Sequence, residues 1–100
     1  MKAIFKYPVQ IQPRFEIEEL PQYASIVRVG IDPKGNPCLW AEVFTEWIEA
    51  KEKYGTSKGV QHVRKFSVVG TGMEVPPGVY VGSWNQDVFV WHLYEVTAVS

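Results

Sequence analysis

Apolar and polar residues alternate with a period of two along most of this chain, the pattern of strands with one buried and one wet face. Residues 2–7 set Ala3, Phe5 and Tyr7 against Lys2, Ile4 and Lys6, and Pro8 closes the run. Residues 14–18 set Phe15 and Ile17 against Arg14, Glu16 and Glu18, and Leu20-Pro21 reads as a turn. Ser25 to Ile31 alternates again, with Ile26, Arg28 and Gly30 facing away from Val27, Val29 and Ile31. Asp32-Pro33-Lys34-Gly35-Asn36-Pro37 is the clearest turn in the sequence. Cys38 to Phe44 returns from it, so the pair predicts a hairpin with a long loop.

Thr45 to Tyr54 carries two patterns. Thr45 as a cap, Glu46 and Glu49 in the first turn, a Glu49/Lys53 pair and Gly55 as a stop describe a short helix. Trp47, Ile48 and Tyr54 do not complete an apolar stripe, so a charged hairpin tip running to Gly59 stays open. Val60 to Val69 reads as a strand, with Phe66 and Val68 opposite Ser67 and Val69. Gly70-Thr71-Gly72 and Pro76-Pro77-Gly78 bracket an irregular loop. Val79 to Trp84 is a strand, Asn85-Gln86-Asp87 a turn and Val88 to Val96 the closing strand, with Thr97 to Ser100 a frayed tail. The expected fold is mainly β: a compact antiparallel β-sandwich or open barrel of about seven strands, with room for one short helix.

The apolar residues agree. Valine and isoleucine number 15 and 6 against 3 leucines, and β-branched side chains favour pleated surfaces over helices. One hundred residues make a single domain. Such a chain buries only about 60–65% of its unfolded surface, so added stability from a homo-oligomer is expected. A net charge of −1 and a pI near 6.1 argue against a partner that is a nucleic-acid polymer. Cys38 is the sole cysteine, which leaves no disulfide framework and no metal-binding spacing. The first residues do not read as a signal peptide and no apolar run approaches a membrane span, so the expectation is a soluble cytoplasmic protein.

Few residues suggest chemistry. Gly70-Thr71-Gly72 is either a plain turn or a nest whose amides and hydroxyl meet a phosphate. It has neither the Walker A spacing nor the dinucleotide-binding fingerprint. His92, between Trp91 and Leu93, is a structural histidine or a hydrogen-bond donor in a pocket; a dyad with Cys38 is conceivable. Trp40, Trp47, Trp84 and Trp91 offer stacking faces or core bulk. Trp84, beside Asn85 at a strand end, is the one expected at the surface, and Tyr80 and Trp40 are further stacking candidates. Arg28 and Arg64 would pair with phosphate oxygens, or lie on a solvated face. No metal constellation and no paired acid and base are visible, so an enzyme is not expected and no cofactor is implied.

Lys6-Tyr7-Pro8, Ile26-Val27-Arg28-Val29, Pro37-Cys38-Leu39-Trp40-Ala41, Val69-Gly70-Thr71-Gly72, Tyr80-Val81-Gly82 and Phe89-Val90-Trp91-His92-Leu93-Tyr94-Glu95 occur in that order. Together they resemble a widespread family of small phage proteins, and the resemblance spans nearly the whole chain. It departs in three places. The segment from about Thr45 to Val60 is longer. Met73-Glu74 stands where His-Pro is frequent. Ser83-Trp84 stands where Thr and a polar or aromatic residue are usual. The resemblance implies a phage-encoded sponge in the host cytoplasm. Such a protein sequesters the cyclic nucleotide signals of anti-phage systems (CBASS, Thoeris), either cyclic dinucleotides or cyclic ADP-ribose isomers, without degrading them. The alternative is a protein-binding module acting through an edge strand or aromatic patch.

Overall fold

The structure, a computed structural model, describes residues 1–46, 48 and 63–97. Among the described residues seven strands run in chain order: β1 (Lys2–Pro8), β2 (Phe15–Ile17), β3 (Ser25–Ile31), β4 (Pro37–Phe44), β5 (Arg64–Gly70), β6 (Gly78–Gln86) and β7 (Phe89–Val96). They form two antiparallel sheets, one in the order β1-β4-β3 and one in the order β2-β5-β7-β6. The fold is therefore mainly β, with two sheets and no closed barrel among the described residues. Thr45, Glu46 and Ile48 are helical, as the capped reading of that segment expects. Trp47, residues 49–62 and residues 98–100 lie outside the described residues, so the rest of the helix-or-hairpin question and the frayed tail lie there too.

Period-two alternation decides which side chains meet. Tyr7, Leu39, Ala41 and Val43 line the inner face of the three-stranded sheet; Phe15, Ile17, Phe66, Val68, Trp84 and Leu93 line that of the four-stranded one. Val9, Leu20 and Ala24 join the same core. Phe15 and Phe66, register partners on β2 and β5, stack with ring centroids 5.7 Å apart. The sheets come together where β3 meets β6. At Gly82 an added Cβ would sit 3.1 Å from Val29, so a side chain here would press Val29 aside by a few tenths of an ångström.

Local chemistry fixes the connections. The β3–β4 loop closes on Asp32, whose Oδ1 accepts from the Lys34 and Asn36 amides at 3.0 and 2.8 Å. Gly35 takes the left-handed φ of 89° that this loop needs. Lys6 on β1 reaches across to Asp32 Oδ2 at 2.9 Å. The Asn36 amide and the Lys6 ammonium hold the Asp32 carboxyl down at about 2. Beyond β2, the segment 18–24 is tied to the four-stranded sheet by Arg64. Its guanidinium donates to the carbonyls of Pro21 and Ala24 and forks onto Glu95.

Two expectations shift by a residue or two. A bulge between Ile26 and Arg28 turns both Ile26 and Val29 toward the core and leaves Val27 50% exposed, where strict alternation had opposed Ile26 to Val29. The β6–β7 turn is Asp87-Val88 instead of Asn85-Gln86-Asp87. Asp87 adopts φ 56°, which an Asp tolerates, and this lets a two-residue turn follow the twist of its strands.

Candidate functional site

One end of the four-stranded sheet is unusually apolar for a surface. Val88 is 89% exposed at the β6–β7 tip, and Phe89 beside it is 56% exposed. The β5–β6 loop brings Met73 up to the same end, its sulfur 3.2 Å from the Gly70 amide. Between loop and tip lies an open groove of about 470 Å³ lined by Gly70, Thr71, Met73, Val88, Phe89, Val90 and Trp91. Its aromatic wall is a stacked pair, Phe89 on Trp91, centroids 5.5 Å apart. That volume falls within the range of small-molecule sites. Among the described residues, no lysine or arginine lines it.

Thr71 is the polar corner of this groove. Its Oγ1 lies 3.0 Å from His92 Nε2 and also donates to the Val90 carbonyl at 3.4 Å. His92, half-buried in β7, thus meets a groove residue through its imidazole without lining the groove itself. Gly70-Thr71-Gly72 lies beside a cavity, but of its two readings the plain turn fits better than the open nest. The Thr71 amide is bound to the Val90 carbonyl and the Met73 amide to the Gly70 carbonyl. Only the Gly72 amide donates to no group among the described residues, and Gly72 itself is there for its φ of 94°. A turn that closes on itself spends the donors that a phosphate would need.

The other expected site residues divide. Trp84 is a correction: it is 6% exposed and belongs to the core, its indole N–H donating to Gln86 Oε1 at 3.2 Å. β6 runs on to Gln86, so Trp84 is a mid-strand residue paired with Trp91 and pointing inward. Arg64 is a second correction. It meets Glu95 through two bonds of 2.8 Å, with 11% of its side chain exposed, and has no fork left for a ligand. Arg28 and Trp40 lie on the opposite sheet, where the guanidinium stands 5.0 Å from the indole centroid. They do not join the groove. Tyr80 is 53% exposed on β6, its hydroxyl donating to Ser83 at 3.1 Å and its ring edge-on to Tyr94.

Cys38 is buried on β4, 3.7 Å from Asp32 Oδ2. Burial and then the Asp32 carboxylate push its thiol up, which disfavours the thiolate, and it sits on the sheet opposite His92. Among the described residues, no three His, Cys, Asp or Glu gather as a metal site, and no helix is long and apolar enough to cross a membrane. A second depression, about 510 Å³, is lined by Gln10, Gln12, Arg14, Glu16, Glu18 and Lys65 around the buried Phe15 and offers no exposed ring.

Sequence reasoning missed the groove walls Met73, Val88 and Phe89. The available signal was Val88-Phe89-Val90, three consecutive apolar residues beside a turn, which must put an apolar side chain on the wet face whichever way the strand faces. No curated protein and no solved structure matches the chain. The chain belongs to the family described as a domain of unknown function, DUF7352, which it matches over residues 1–100.

Proposed function

We propose that the protein is a non-catalytic binder that captures a small ligand through a planar ring and releases it unchanged. The observation that carries this reading is the open groove whose wall is the Phe89–Trp91 stack, with Thr71 as its polar corner. Such a wall accepts a flat ring, and a base stacked on an aromatic side chain gains about 1–3 kcal/mol. The groove contains no acid–base pair and no activated nucleophile among the described residues, which suits holding over converting. The class to test first is the one that the resemblance implies: cyclic dinucleotides and cyclic ADP-ribose isomers, sequestered from a bacterial immune system. The groove is open on one side, and closure by a second copy of the chain is part of this proposal.

Titration calorimetry with a panel of these nucleotides is the test. Binding with a Kd below about 100 μM, weakened at least about tenfold by Phe89→Ala, is the expected result. No binding by any member removes the reading. A second reading is favoured by Val88 and Phe89, at 89% and 56% exposure at the groove: an apolar patch that binds a host or defence protein. A pull-down that captures one host protein, with no small molecule on the purified chain, would favour it.

A further inference from the structure

The outer face of the three-stranded sheet carries a row of charge that the groove does not use. Trp40 on β4 is the register partner of Lys6 on β1 and of Arg28 on β3, so the three side chains project from one face. The Arg28 guanidinium stands 5.0 Å from the Trp40 ring centroid. It also lies over Gly30, where an added Cβ would meet Arg28 Nε at 3.6 Å and Nη2 at 3.7 Å. Lys6 crosses β4 to reach Asp32 Oδ2 at 2.9 Å. Gly30 and Asp32 are about 7 Å apart along the chain at the end of β3, so the two cations converge there. Gly30 and its register partner Cys38 are both buried on this same face.

The cations are not evenly matched. Lys6 has the Asp32 carboxylate, and Lys2 has Glu42 at 3.8 Å. Arg28 has the indole and, among the described residues, neither a hydrogen bond nor an ion pair. Stacking on the ring holds the guanidinium in place, so less freedom is lost when its fork closes on a ligand. What the row offers is donors: the guanidinium N–H groups, the remaining N–H groups of Lys6, and the Trp40 indole N–H, which is likewise unbonded among the described residues. A group that only accepts matches them, which means an oxyanion. A single negative charge fits best. Two cations face one carboxylate here, and Asp32, held down at about 2, stays ionised at neutral pH and repels a second charge. Val27, which the bulge sets beside Arg28, is 50% exposed and gives an apolar contact next to the fork.

We infer that the Arg28–Trp40–Lys6 row is a second binding site, for a singly charged oxyanion with an apolar body: a carboxylate or a phosphodiester. It faces away from the core on the sheet opposite the groove and stands independently of the groove reading.

The experiment is an NMR titration that follows the Trp40 indole N–H and the Arg28 Nε–H of the intact chain at neutral pH. Phenylacetate or diphenyl phosphate shifts both signals with a Kd of about 1–10 mM, and the tighter of the two names the source. Neutral phenylacetamide does not bind, and dianionic phenyl phosphate binds no more tightly than diphenyl phosphate. Arg28→Gln weakens binding at least about tenfold, and Arg28→Lys at least about threefold because an ammonium cannot fork. Arg28 is exposed, so both variants keep the denaturation midpoint of the intact chain. Lys2→Gln, on the same face but outside the row, changes Kd by less than about twofold. Equal losses in Arg28→Gln and Lys2→Gln reveal attraction by net charge alone and overturn the site. So do phenyl phosphate binding about tenfold more tightly than the monoanions, shifts confined to other residues, or no saturation below about 20 mM. None of these results touches the groove reading.

Discussion

Aromatic residues of similar chemistry have different fates here, and the difference is one of position along the sheet. Trp84 and Phe89 sit five positions apart on either side of one turn. Trp84 faces the opposite sheet and is buried; Phe89 sits beyond the turn and is exposed. Trp84→Ala is expected to cost about 3–5 kcal/mol of stability by leaving a cavity, measured by chemical denaturation. Phe89→Ala is expected to change stability by less than about 1 kcal/mol while removing the wall on which the ring would stack. Asp32 gives a prediction in pH. Its folded value of about 2 lies below the ordinary 3.8, so the carboxylate stabilises the fold above the ordinary value and that contribution is lost as pH falls through about 2. Thermal unfolding followed between about pH 5 and pH 2 should show this decline. In Asp32→Asn the part due to this group should be absent.

At the level of strands, alternation carried the reading and bulges limited it. Strand runs from 2 to 7, 25 to 31 and 38 to 44 were legible because each repeats its apolar face at least three times and is followed by Pro, Asp or Thr. The 26–28 and 80–82 bulges were not legible: an extra residue changes which face is wet without altering composition. The groove was legible only in part. Gly70 and Thr71 stood out by residue type, whereas Met73 and Phe89 carried no signal of their own, because exposure depends on where the partner sheet ends. Arg64 was misassigned for a related reason. Its partners lie at Glu95 and at the carbonyls of Pro21 and Ala24, far away in sequence and invisible to any local pattern. Arg64→Ala should cost about 2–3 kcal/mol, since it orphans a half-buried carboxylate and two carbonyls. Arg64→Lys should recover less than half, because an ammonium cannot fork. Gly82→Val should cost about 1–3 kcal/mol by overpacking against Val29; denaturation midpoints check all three.

For the whole molecule, two thin sheets share a core of modest size, and the exposed groove lies at one end of the larger sheet. A protein that only captures its ligand needs this much and little more: a stable frame, a ring-shaped contact and polar groups beside it. The proposal of a closed groove predicts at least two copies in solution, which sedimentation velocity will show as a species heavier than the 11.4 kDa chain. A monomer with and without nucleotide would remove that part. The most direct measurement is the fate of bound ligand. The protein is incubated with a cyclic dinucleotide or a cyclic ADP-ribose isomer that it binds, freed of excess by gel filtration, heated, and the released small molecule identified by mass spectrometry. The account predicts the original nucleotide, intact and in stoichiometric amount; a cleaved or rearranged product, accumulating beyond the amount of protein present, would contradict it.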